Sequence, residues 1–246
     1  MTVDPPRLLK QDAIIESLLE MRLEHNQVGE IAIGRLASAP EWRDYRSERL
    51  PFSDLPQTVR DADPNLRYQP ILQLQNGSGT EVIKVGPRVI SLHRLSGYPG
   101  WGKFHDRQSL MIDTVLEMIP EVQIQRLGLR YINALLPSHG FRSFWDMNIK
   151  VEVGGEQPAE TLAANYRFPA GSNCEVQVAV AHPSYVSGQL IPGSVALVDV
   201  DVFTPQPVGT ATKEILMQWL VSAHNSEKQA FFKLWPSDLL AEQRVD

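Results

Sequence analysis

Cysteine is nearly absent: Cys174 is the single one in 246 residues. One thiol cannot build a disulfide framework or a cysteine-based zinc site. It lies in an apolar-alternating segment, Cys174 to Ala181, where a free thiol packs as a small hydrophobe. Long apolar runs are missing too. No stretch approaches the 18 residues of a membrane span, and the opening MTVDPPRLLKQDAIIE lacks the charged head and unbroken apolar run of a signal peptide. The expectation is a reducing, cytoplasmic setting. A basic excess is lacking as well. The formal net charge is −6, which argues against a nucleic-acid binder, since phosphate neutralisation supplies most of that affinity. Arg35, Arg43, Arg46, Arg49, Arg60 and Arg67 cluster in sequence, but Glu41, Asp44, Glu48, Asp61 and Asp63 intersperse them, as on a mixed solvated surface. There is no Gly-x-Gly-x-x-Gly, Walker loop or Gly-x-Ser-x-Gly. None of His25, His93, His105, His139, His182 and His224 stands at metal-ligand spacing from another.

What is present is ordinary globular composition, 43% hydrophobic and 21% charged, on a chain long enough to bury a core unaided. Leu19 to His25 alternates, with Leu19, Met21 and Leu23 on one side and Glu20, Arg22 and Glu24 on the other, the period of a half-buried strand. A short helix falls in 28–42, then surface loop with one helical turn over 40–70. Ile71–Gln75, Thr80–Val85 and Val89–Leu95 read as antiparallel strands joined by Asn76-Gly77-Ser78-Gly79 and Gly86-Pro87. Trp101 to Ile119 takes the helical period through Phe104, Gln108, Met111 and Val115, and Pro120 stops it. Val122 to Leu135 is a long strand with Gly128 as a bulge or close-approach point.

Further strands are predicted over Asn148–Val153, Thr161–Phe168, Cys174–His182 and Ser194–Phe203. Helix follows over Gly209–Trp235, with Ile215, Leu216, Trp219, Leu220 and Ala223 as its apolar face. Ser226-Glu227-Lys228-Gln229 fits a capping box and suggests a second helix start. The fold class is α+β, antiparallel sheet with long helices packed on one face. The chain reads as one unit, with two similar β-α-β-β-β-α halves at 1–120 and 121–246.

Three places attract chemistry. Asp199 and Asp201 share a strand face and suit Mg²⁺ or Mn²⁺, with His224 or Glu214 as a third ligand; the plain alternative is two solvent-facing carboxylates beside Val198, Val200 and Val202. Arg126 and Arg130 share the parity of Gly128, with Tyr131 and Asn133 following, and offer guanidiniums to an acidic ligand or to acidic residues of a neighbouring strand. His93, Arg94, Tyr98 and Trp101 gather where a strand hands over to a helix, a combination common in interface hot spots.

Four segments carry a resemblance: Leu92-His93-Arg94-Leu95 to Tyr98-Pro99-Gly100-Trp101; Arg126-Leu127-Gly128-Leu129-Arg130-Tyr131-Ile132-Asn133; Leu197 to Phe203; and Ala223-His224 with Phe231. In order and spacing the chain resembles a sporadically distributed family of uncharacterised bacterial proteins of similar length. The resemblance implies a bacterial origin and an accessory system of defence or toxin–antitoxin type, and it assigns no reaction. It also implies Ser-Arg-Leu where this chain has His93-Arg94-Leu95, which counts against a catalytic His93. The leading expectation is a non-enzymatic protein-binding component that needs no cofactor and recognises its partner near Tyr98 and Arg130. The alternatives are a metal-dependent hydrolase of nucleotide or nucleic acid using Asp199 and Asp201, and a small-molecule sensor.

Overall fold

The computed structural model describes residues 6, 8–152, 154–156, 160–171 and 173–245. Among them the strands are β1 (Leu8–Leu9), β2 (Ile14–Glu24), β3 (Arg46–Arg49), β4 (Leu72–Gln75), β5 (Glu81–Gly86), β6 (Val89–Arg94), β7 (Gln123–Leu135), β8 (Leu162–Pro169), β9 (Glu175–His182), β10 (Tyr185–Val186), β11 (Gln189–Leu190), β12 (Ala196–Phe203) and β13 (Arg244–Val245). The α-helices are α1 (Gly29–Ala37), α2 (Gln57–Ala62), α3 (Trp101–Met118), α4 (Lys213–Phe232) and α5 (Ser237–Gln243). Nine strands form one antiparallel sheet in the order β3-β4-β5-β6-β2-β7-β12-β9-β8, so the α+β class holds. Counted from their first strands, residues 1–120 place β2, β6, β5 and β4 side by side, and residues 121–246 place β7, β12, β9 and β8. Only this order of strands recurs: the α-helix expected early in the second half does not form among the described residues, where 3₁₀ turns at Pro137–His139 and Phe144–Asp146 follow β7.

Two compact units can be distinguished. One comprises Glu16–Leu129 and Phe203–Val221, the other Met1–Ile15, Arg130–Val202 and Ser222–Asp246. In the first, β2 alternates buried Ser17, Leu19, Met21 and Leu23 with half-buried Glu16, Leu18, Glu20, Arg22 and Glu24. Cross-strand register sets Leu19 beside Leu92 and Met21 beside Ile90, then Leu92 beside Ile83 and Ile90 beside Val85. These residues form one apolar face, because paired residues in a ladder point the same way. Arg107 of α3 binds Glu81, which shares the parity of Ile83 and Val85, so α3 covers this face. Phe104, Met111, Ile112 and Val115 of α3 and Ala32 and Leu36 of α1 are buried with it. The hairpin before β5 is tied by Asn76, whose Oδ1 accepts from the backbone N–H of Thr80 at 2.9 Å and of Glu81 at 3.1 Å. In the second unit, Val176, Val178 and Val180 of β9 and Val198 and Val200 of β12 are buried by the same alternation, and Cys174 is buried beside them in sequence.

Several expectations need correction. β2 starts at Ile14, five residues before the predicted Leu19, because Ile14, Ile15 and Leu18 mask the alternation with apolar side chains on both parities. Residues 40–70 hold more than a loop: β3, α2 and two short 3₁₀ turns, with Trp42 and Arg60 buried. No strand forms over 148–152 (Val153 lies outside the described residues). There Asn148 is committed elsewhere, its side chain donating to the carbonyls of Lys233 and Trp235 and its backbone N–H to Leu234. Helix α4 runs unbroken through Ser226. The Ser226 hydroxyl donates to the Ser222 carbonyl at 3.0 Å rather than capping a new helix, and Glu227 is buried. Ile215 is 50% exposed and leaves the apolar face to Leu216, Trp219, Leu220 and Ala223. No helix among the described residues is long and apolar enough to cross a membrane.

Candidate functional site

The face of the first unit opposite α3 is built by the other parity of the same strands. Register pairs Leu18 with His93, Glu20 with Ser91, Val82 with His93 and Lys84 with Ser91. Ser91 and His93 are two apart on β6, so both point there. The imidazole joins its neighbours into a chain: Nδ1 lies 2.7 Å from Glu16 Oε1 and Nε2 lies 2.8 Å from Ser91 Oγ. Glu16 as a carboxylate only accepts, so Nδ1 carries the proton and Nε2 presents its lone pair to the Ser91 hydroxyl. Burial holds the His93 pKa below the usual histidine range, against the opposing pull of the Glu16 hydrogen bond, and the charge of Lys84 lowers it further. At neutral pH the ring is therefore an uncharged acceptor toward Ser91. Of these residues the sequence singled out only His93. The signal it held was Ser-x-His at strand spacing; Glu16 could be joined to it only by the β2–β6 pairing.

Beside this chain lies an ionic cluster. Glu20 accepts from Arg22 Nε at 2.8 Å and from Arg126 Nη1 at 3.0 Å. The Arg126 guanidinium sits 4.7 Å from the Phe203 ring centroid, and that of Arg22 sits 5.0 Å from the ring of Tyr68. Both are cation–π distances. Gly128 is a close-approach point, as its sequence position suggested, and what approaches is the Arg126 side chain: a Cβ at Gly128 would run into Nη1 of its guanidinium. Lys84 is also on this face, across from Ser91, and its ammonium makes no side-chain hydrogen bond or ion pair among the described residues.

The Arg94–Trp101 segment is half-exposed at the end of β6. Arg94 donates to the Gly97 carbonyl from Nε at 3.3 Å and Nη2 at 3.2 Å, closing the turn. Tyr98 packs edge-on against Phe104 at 5.8 Å, and Trp101 lies 5.0 Å from the His105 ring. Leu95, next to Arg94 in the same segment, is 37% exposed.

In the second unit, Arg130 and Asp199 meet. The guanidinium binds the carboxylate bidentately, Nε to Oδ1 at 2.8 Å and Nη2 to Oδ2. Arg126 and Arg130 thus each engage an acidic residue of a neighbouring strand, Glu20 and Asp199. Tyr131 and Asn133 are buried. The Tyr131 hydroxyl lies 3.5 Å from His224 Nδ1, and the Asn133 amide donates to the Val198 carbonyl at 3.2 Å. Their polar groups are spent inside the unit. Asp201 is half-buried on the Asp199 parity of β12. Among the described residues no group of three or more His, Cys, Asp or Glu is placed to hold a metal ion. Glu227 of α4 is 5% exposed. Burial pushes its carboxyl up to about 8, the charge of Lys228 opposes that and the charge of Asp12 adds to it. In comparisons with known proteins, the chain matches no family model and no curated protein.

Proposed function

We propose that this chain is a protein-binding component that recognises its partner through the Arg94–Trp101 segment. The observation that supports this reading is the bracing of two half-exposed aromatic rings, Tyr98 against Phe104 and Trp101 against His105, with Leu95 exposed in the same segment. Rings held in place before binding offer large contact area at low entropic cost. Tyr, Trp and Arg are also the residues on which binding energy concentrates. The resemblance implies a bacterial accessory system of defence or toxin–antitoxin type for such a component, and the single cysteine suits a cytoplasmic setting.

The test is quantitative co-purification from the source cells of tagged wild-type chain and the Tyr98→Ala/Trp101→Ala double variant, followed by titration of the purified pair. The expected result is one stoichiometric partner whose affinity falls at least tenfold in the variant, as loss of about 2 kcal/mol at a hot spot requires. A partner held equally by both proteins, or none at native expression, overturns the proposal.

A further inference from the structure

We propose that Ser91, His93 and Glu16 form a nucleophile, general base and orienting carboxylate, with Lys84, cross-strand from Ser91, as the electrophilic cation, competent to transfer small acyl groups from esters. The inference stands apart from partner binding. It rests on order and distance: hydroxyl to Nε2 at 2.8 Å, Nδ1 to carboxylate at 2.7 Å. This is the arrangement by which a base, itself held by a third group, activates a weak nucleophile. The β5–β6 register puts Lys84 directly across from Ser91. An ammonium there meets the negative charge that develops on a carbonyl oxygen.

The chemistry closes on these groups. The Ser91 Oγ lone pair attacks the ester carbonyl carbon, the C=O π pair moves onto oxygen beside Lys84, and the hydroxyl proton passes to His93 Nε2. The C–O bond to the alcohol then breaks, and Nε2 returns that proton to the departing oxygen. Water repeats the sequence on the acyl-serine, releasing the acid and restoring the Ser91 hydroxyl. Glu16 touches no reacting atom and acts as a positioning residue that stabilises the transient imidazolium.

Access fixes the substrate class. Ser91 is only 5% exposed. Of its two cross-strand neighbours, Glu20 is tied by Arg22 and Arg126. The other, Lys84, is half-buried and its ammonium is not tied in the same way. A hydroxyl so little exposed fits a short acyl group and not a polymer.

The experiment uses the intact chain with a small fluorophosphonate probe and with p-nitrophenyl acetate. Peptide mapping by mass spectrometry is expected to place one adduct on Ser91 and to find none in Ser91→Ala. His93→Gln should label at least about 100-fold more slowly, the usual yield of a general base. In Glu16→Gln the labelling plateau falls, and its rising limb moves to lower pH, because losing the carboxylate makes the imidazolium more acidic. A merely structural carboxylate would leave the limb in place. No adduct on wild-type Ser91 at millimolar probe, or equal labelling in a folded His93→Gln variant, overturns the proposal. The wild-type mapping decides even if a variant fails to fold.

Discussion

Replacing Glu227 with glutamine should flatten the pH dependence of stability on the alkaline side. In the folded chain this carboxyl is buried in α4 and ionises only at about 8, against an ordinary 4.5. Its folded form therefore holds a proton that the unfolded form has released. A raised folded pKa contributes stability that is complete below the unfolded value and disappears as pH climbs through the folded value. Integrated between pH 5 and pH 8, the single group removes about 3 to 4 kcal/mol, a large part of the stability of a typical domain. Asp12, whose pKa burial also raises, adds a loss of the same sign nearer the acid end. His93 and His139, both held below the usual range by burial, weaken the fold as pH falls below about 6.5.

Urea unfolding of wild type and Glu227→Gln at half-unit steps from pH 5 to pH 8.5 isolates the carboxyl, because the histidine contributions are common to both and cancel in the difference. The buried amide carries its own pH-independent cost of about 1 to 3 kcal/mol if it finds no partner. That term shifts the whole difference curve without tilting it. The expected result is a variant no more stable than wild type at pH 5 and progressively more stable toward pH 8.5. Parallel profiles would refute the reasoning, since they would mean that Glu227 ionises in the folded chain much as it does in the unfolded one.

Two further outcomes follow from the polar faces. Gly128→Ala drives Arg126 off Glu20 and Phe203, since the new Cβ claims the space of Nη1; a loss of about 1 to 2 kcal/mol is expected, and it should largely vanish in an Arg126→Ala background when a denaturant double-mutant cycle is run. Arg130→Ala leaves the Asp199 carboxylate, 17% exposed, without its bidentate partner; the cost should reach about 1 to 3 kcal/mol, and Arg130→Ala/Asp199→Asn should recover part of it in thermal melts.

The elements legible in the sequence were those whose pattern is local. Strands β8, β9 and β12 and helix α3 fall within a residue or two of their expected bounds, because a clean period of two, or a period of 3.6 ended by Pro120, needs no distant partner to be read. What escaped was set by pairing. Glu16 reads as one acidic residue in an apolar stretch until β2 runs against β6 and Ser17 lies across from Arg94. Ser91 is a plain strand serine until that register brings His93 within reach of Glu16.

The same holds for the charges singled out separately. Arg130 attracted notice as a ligand for acidic groups and Asp199 as a metal ligand, yet each is the other's partner. A carboxylate already clasped by a guanidinium must surrender a charge-assisted pair before it can take a cation, so whatever affinity β12 offers a metal is reduced by that exchange. Residue types that suit a ligand equally suit one another, and only geometry tells which pairing the fold has used. The polar groups left with work to do are those the fold orders but does not neutralise. In the first unit these are the Ser91 hydroxyl, held against an uncharged His93, and the Lys84 ammonium across the strand from it. Recognition and chemistry are therefore best sought on β5 and β6 and in the segment that leaves β6 at Arg94.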